Sequence, residues 1–401
     1  MSRPEKRLWI EPPGRGYYPL QVLLNKADVL FRIGSWEAAE GIYRQGIEML
    51  EGGEDRRTVA GLRNRLSMLL GYRGFHREAL ELLTETADRY ADAIDETLSS
   101  DMMKNFGFFY EDLGNHAQAM ECYLRSLELC RKLGNRRGEA SANGNIGIIH
   151  AKLGEFDLSL ERFGNLHRIS EELIDIHGIS LAQGNLGLLY IETGEYTKAM
   201  EALEVKRKLS ERMGDRLGIL QAMGSAGDLQ LRLDNFGEAY RCFAIALDHA
   251  RHMENHQFAV LAIQRMGEAK IMLGESQEGL ALLDQARELA GKMGMAPFEA
   301  NVLMVKGNAL RNMGRRDEAL AELRRAAMFA EQLGNVVLKM KTDLSIAEML
   351  AEAGERDRAK DLVMELLPLC DTVKHPGLLA RIDKLRRELE TGPDRGDAAP
   401  S

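Results

Sequence analysis

The chain has 401 residues, a formal net charge of −9 and 45% apolar residues. It holds no apolar run approaching the ~20 residues of a membrane helix, and its acidic balance disfavours general nucleic-acid binding, which needs a basic face. Four cysteines without paired spacing (Cys122, Cys130, Cys242, Cys370) point to reduced, buried thiols, and with no apolar secretory signal at the N-terminus the expected location is cytoplasmic.

Residues 1–16 contain Pro12, Pro13, Gly14 and Gly16 and are expected to form an extended lead-in, with Trp9 and Ile10 folding back on the first helix. From Tyr17 the chain repeats with a forty-residue offset: Gly34, Gly74, Gly114, Gly154, Gly194, Asp234, Gly274, Gly314, Gly354. A fixed period of this size marks a solenoid, in which each repeat buries its apolar face on its neighbours. Nine units fill residues 17–374. In each, a first helix ends at the series glycine, which takes the left-handed C-terminal cap cheaply. A second helix ends at Gly134-Asn135, Ile174-Asp175, Gly214-Asp215, Glu254-Asn255 and Gly334-Asn335, where Asn or Asp is placed to cap the next helix.

The second helices carry a small residue at Ala39, Ala79, Ala119, Ser159, Ala199, Ala239, Gly279, Ala319 and Ala359. One turn later stands a large apolar residue: Tyr43, Leu83, Tyr123, Phe163, Leu203, Phe243, Leu283, Leu323, Val363. This spacing predicts a knob entering a small-residue notch on the adjoining helix. Residues 375–390, opening on Pro376, predict one closing helix with a charged outer face. Residues 391–401, rich in Gly, Pro and Asp, predict a disordered tail.

The spelling Asn145-Ile146-Gly147, His150, Gly154, Phe156, Ser159 recurs as Asn185-Leu186-Gly187, Tyr190, Gly194, Tyr196, Ala199. It resembles the tetratricopeptide repeat in its forty-residue form. With Ala142 and Ala182 ahead of the motif, it is similar to repeats of kinesin light chains, Pins-type G-protein modulators and bacterial peptide-sensing regulators. The resemblance covers residues 17–374. It implies an all-α fold, a right-handed superhelix (α-solenoid) of nine helix-turn-helix repeats plus a C-terminal capping helix. It also implies that the first helices line an inner groove along which ligand peptides lie.

Helical periodicity places Asp101, Lys104, Asn105, Phe108 and Asp112 opposite the core in the third unit. The fourth gives Ser141, Gly144, Asn145, Ile148 and Lys152, the fifth Leu181, Gly184, Asn185, Leu188 and Glu192, and the sixth Gln221, Gly224, Ser225, Asp228 and Arg232. Asn105, Asn145 and Asn185 stand one repeat apart, and exposed carboxamides offer a donor and an acceptor to the backbone of an extended peptide. Gly144, Gly184 and Gly224 beside them imply either room for a ligand or close helix packing. Phe108, Ile148, Leu188, Ile191 and Leu231 make the groove centre partly apolar, as binding surfaces are. Lys104 and Lys152 are too few, and too close to Asp101, Asp112 and Glu192, for a carboxylate clamp.

The expected function is a protein–protein interaction scaffold or adaptor holding a partner's peptide segment. The residues expected to hold it are Asn105, Asn145, Asn185, Lys104, Phe108, Ile148, Lys152, Leu188, Glu192, Asp228, Leu231 and Arg232. The alternative is a ligand- or peptide-responsive regulator that switches an effector. The first unit, with Phe31 and Trp36, also offers a surface for self-association. No phosphate-binding loop, nucleophile elbow or HExxH motif is present. His249, His252 and His256 straddle a helix break, and His150 and His167 fall on core-type positions. No catalytic residue, metal or cofactor is expected, and sixteen lead-in residues are too short for a catalytic bundle ahead of the repeats.

Overall fold

A computed structural model describes residues 17–32, 35–73, 75–370 and 376–391. The expectations for the lead-in, for Gly34 and Gly74 and for the tail lie outside the described residues. The chain divides into two compact units, residues 1–229 with 252–254, and residues 230–251 with 255–401. Each is described by itself. Among the described residues there are nineteen α-helices and no strand. None of these helices is long and apolar enough to cross a membrane.

The first unit carries α1 (Tyr17–Arg32), α2 (Trp36–Leu50), α3 (Arg56–Tyr72), α4 (His76–Arg89), α5 (Glu96–Asp112) and α6 (His116–Lys132). It continues with α7 (Arg136–Lys152), α8 (Phe156–Glu172), α9 (Ile176–Thr193), α10 (Tyr196–Met213) and most of α11 (Arg216–Arg232). The second unit carries α12 (Phe236–His252) but for its last residue, α13 (His256–Met272), α14 (Ser276–Lys292), α15 (Ala296–Asn312) and α16 (Arg316–Gln332). It ends with α17 (Val336–Glu352), α18 (Arg356–Cys370) and α19 (Pro376–Thr391), the closing helix.

The expected punctuation is present as hydrogen bonds. Asn135, Asp175, Asp215, Asn255 and Asn335 each accept the backbone N–H three residues on, which satisfies a donor left over at the helix start. Gly114, Gly154, Gly194, Gly274, Gly314 and Gly354 all lie at positive φ, and Asp234 takes the same conformation at φ 57°. The turn geometry therefore persists where the glycine is missing.

The small series is fully buried from Ala39 to Ala359, and the large series from Tyr43 to Val363 is buried with it. In the third to eighth units the residue facing the knob is a glycine in the middle of the pair's first helix, replaced by Ala27, Ser67 and Ala347 in the first, second and ninth. A Cβ at Gly147 would collide with the Phe163 ring, at Gly187 with Leu203, and at Gly307 with Leu323. Backbones thus approach closely within a pair, and the knob fills the gap at interior packing density.

Candidate functional site

In the first unit a cavity of ≈ 820 Å3 is lined from two distant parts of the chain. One part is Asp28, Val29 and Phe31 of α1, Trp36 of α2 and Tyr72 of α3. The other includes Arg137 of α7, His177, Ser180 and Leu181 of α9, Lys206 and Met213 of α10, and Asp215, Leu217 and Gln221 at and beyond the start of α11. Phe31 and Tyr72 meet edge to face at 5.2 Å, and Trp36 Nε1 donates to the Phe31 carbonyl at 3.2 Å. The two aromatic residues considered for self-association thus line this cavity.

The polar groups of the lining are mostly committed. Asp28 accepts from the Tyr43 hydroxyl at 2.7 Å and from Arg65 at 2.5 Å. Asp175 caps α9 and pairs with Arg137 at 2.7 Å. Burial raises its pKa, but the Gly178 N–H and the Arg137 guanidinium together hold it below the usual carboxylate range. Asp215 caps α11 through the Gly218 N–H at 3.0 Å. Lys206 differs. It is 8% exposed, forms no ion pair, and donates one hydrogen bond, to Gln221 Oε1 at 3.0 Å. Burial pushes its ammonium down to about 8, and the Asp215 charge offsets part of that.

None of the residues expected from sequence to hold a peptide is among those lining this cavity. Asn145 and Ile148 of α7 and Asn185 of α9 are half-buried, and Leu188 is 50% exposed. Among the described residues neither Asn145 nor Asn185 has a side-chain hydrogen-bond partner. Asn105 is a correction: it is buried, and its amide donates to Asn64 Oδ1 at 2.8 Å, so the ladder expected to be exposed is tied up at its first rung. Ile191 is a second correction, 3% exposed and part of the core. Phe108 is half-buried and stacks on Tyr72 at 5.7 Å. Lys104 pairs with Asp101 at 3.0 Å and Lys152 with Glu111 at 2.8 Å. Glu192, Asp228 and Arg232 are engaged in interactions of their own. Leu231, half-buried, and Arg232 belong to the second unit.

Of the three groove glycines, two are packed against neighbours. A Cβ on Gly144 would stand 3.0 Å from Leu166, and one on Gly184 would stand 2.8 Å from Lys206 Cδ; only Gly224 has open space. Lys206 lies on a second helix, whereas the sequence pattern points to the first helices as the groove lining. The signal was present all the same, as the sole charge in an otherwise small or apolar series of repeat positions.

The second unit has a smaller cavity of ≈ 470 Å3 between α16, α17 and α18, with Arg324, Glu331, Asp343, Arg358 and Asp361 in its lining. Asp343 is buried and pairs with Lys339 at 3.0 Å. Among the described residues no group of three or more His, Cys, Asp or Glu is placed to hold a metal ion. Helix α12 ends at His252 and α13 begins at His256, with Glu254 between them at φ 52°.

Two family models of the tetratricopeptide repeat match the sequence, one over residues 98–172 and one over residues 182–204 and 300–332. The chain is a tetratricopeptide-repeat protein. The matched stretches are the helix pairs whose caps, notches and knobs are described above. No curated protein matches this tetratricopeptide-repeat chain. Among solved structures it is similar to the apo form of the quorum sensor NprR from B. thuringiensis, with TM-score 0.58 and 14% identity, covering 87% of this chain and 99% of that one. It is similar to the aspartyl phosphate phosphatase F of Bacillus subtilis, with TM-score 0.56 and 12% identity, covering 96% and 99%. It is also similar to the Rap conjugation gene regulator of the plasmid pLS20 in complex with the Phr* peptide, with TM-score 0.55 and 13% identity, covering 93% and 96%. At these identities the likeness is one of fold.

Proposed function

We propose that this chain is a non-enzymatic interaction protein that holds a peptide segment of a partner in the cavity of its first unit and along α7 and α9. The observation that carries this is the cavity itself. Its walls present exposed apolar side chains, Val29 and Leu181, beside polar groups of which all but Lys206 are largely committed within the protein. Concave, mostly apolar sites with a few placed polar groups are where ligands bind. Asn145 and Asn185 have carboxamides free for a peptide backbone, and Ile148 and Leu188 supply apolar contact next to them.

A second reading is a peptide-responsive sensor. One similar structure is that of a quorum sensor, and another holds the Phr* peptide. Here the cavity walls come from α1–α3 and from α7–α11, so an occupant touching both would tether segments far apart in sequence. A ligand shifts a conformational equilibrium only by its difference in affinity for the two states.

The test is affinity capture from native lysate, comparing wild type with an Asn145→Ala, Asn185→Ala, Leu188→Asp variant shown by circular dichroism to be folded. A partner held by wild type and lost by the variant supports the groove. Partners held equally by both contradict it. Small-angle scattering then separates the readings: a sensor changes its dimensions on binding the recovered peptide, and a passive scaffold does not.

A further inference from the structure

Among the described residues, the Lys206 ammonium is the one buried charge in the cavity lining that forms no ion pair, the Asp215 charge acting on it only from beyond ion-pair distance. Its route there is built into the backbone. Lys206 lies on α10, the second helix of its pair, yet it lines the cavity, because Gly184 on α9 leaves the space its stem needs. A Cβ at position 184 would stand 2.8 Å from Lys206 Cδ and 2.7 Å from Nζ. One repeat earlier the same register pairs Gly144 with Leu166, an ordinary apolar contact.

The equivalent positions in the other units are Gly46, Thr86, Ser126, Leu166, Ala246, Ala286, Ala326 and Leu366, all buried and none charged. The repeat architecture therefore needs a small or apolar group there. A buried cation is costly unless paired, and Gln221 satisfies only one of its three donors. The carboxylates around it are committed elsewhere, Asp28 to Tyr43 and Arg65, Asp175 to Arg137 and an N-cap, and Asp215 to an N-cap.

We infer that Lys206, held through the Gly184 notch and oriented by Gln221, is the anchor for a carboxylate of the bound peptide. This rests on the peptide-binding reading above and adds its chemistry. A carboxylate entering the cavity supplies the ion-pair partner that Lys206 lacks and accepts its remaining N–H donors, a charge-assisted pairing in a place largely shielded from water. The carboxylate comes from an Asp or Glu side chain or from the peptide's C-terminus, and the two are separable.

The experiment presents immobilised full-length protein at pH 7 with three pools of N-acetylated octapeptides. The first pool has free C-termini and no acidic residue, the second is C-terminally amidated with one Asp or Glu, and the third is amidated with none. Wild type is expected to retain at least one carboxylate pool about ten- to a hundred-fold over the third, the scale of one charged hydrogen bond. Which pool is favoured names the source of the carboxylate.

Lys206→Met is expected to fold, to keep its retention of the third pool, and to lose that preference. Lys206→Gln is the second variant should the first fail to fold. Raising the pH from 7 to 9 weakens the wild-type preference as the ammonium loses its proton, with no such change for the third pool. A wild type that retains all pools equally, or a variant that keeps the preference, overturns the Lys206 assignment and leaves the groove reading standing. Retention of no pool by either protein overturns both.

Discussion

The Phe163 ring occupies the space that a side chain at position 147 would need: a Cβ on Gly147 would stand 2.6 Å from Phe163 Cε1. The Ser159 hydroxyl, one turn before the ring, donates to the Gly147 carbonyl at 2.9 Å. Knob, notch and hydrogen bond therefore fix the register of α7 against α8 at one point. Gly147→Ala is expected to destabilise the protein by about 1–3 kcal/mol through overpacking. Gly164→Ala, at a helix-interior glycine with open space around it, is expected to stabilise by about 0.5–1 kcal/mol through backbone entropy. Urea denaturation of both variants checks the opposite signs.

Ile174 closes α8 at φ 52° with its side chain 83% exposed. The Asp175 N–H reaches the Ser170 carbonyl at 2.8 Å, so the turn is the one its glycine counterparts make. A β-branched residue is strained there and gains little from packing. Ile174→Gly is expected to raise stability by about 1 kcal/mol, whereas Gly194→Ala, at φ 80°, is expected to lower it by a similar amount. Thermal midpoints measured side by side decide this.

Lys206 gives the stability a definite pH dependence. Its pKa falls from 10.5 to about 8 on folding, so between these values the unfolded chain binds the extra proton and stability rises with pH. Below pH 8 the full penalty of burying the charge is present. At ~1.4 kcal/mol per pKa unit, wild type is expected to gain about 3 kcal/mol relative to Lys206→Met between pH 8 and 10.5. At pH 7 the methionine variant is expected to match or exceed wild type in stability, because an apolar group replaces an unpaired buried charge. Denaturation of both proteins across this pH range gives the difference directly.

Asn105 and Asn185 hold the same repeat position and are expected to respond differently. Asn105→Ala strands the buried Asn64 amide oxygen and is expected to cost about 1–3 kcal/mol. Asn185→Ala removes a half-buried carboxamide without a partner and is expected to leave the thermal midpoint nearly unchanged. Peptide retention is expected to fall for Asn185→Ala and to hold for folded Asn105→Ala.

The helix pairs were legible because each unit repeats the same physical instructions: a positive-φ glycine, an Asn or Asp cap, and an alanine one turn before a large residue. The period hides one exception and marks the other only by a charge in an otherwise small or apolar series. Asn105 is withdrawn from the surface by Asn64, forty-one residues earlier, a partner one step out of the forty-residue register. Lys206 sits on a second helix, while the resemblance places the groove on the first helices, and the missing side chain at Gly184 gives it the room to reach the cavity. Wall residues from α1 and α3 join those of α9 and α11 through accumulated turns of the array, which local spacing does not encode.

The most direct measurement is hydrogen exchange of the full chain, followed by mass spectrometry, with and without the peptide recovered in the capture experiment. Slowed exchange is expected in fragments covering residues 17–36, 136–152, 176–193 and 216–229, with α4 and α6 unchanged. Protection confined to the second helices of the pairs, or absent from the cavity-lining segments, would contradict it.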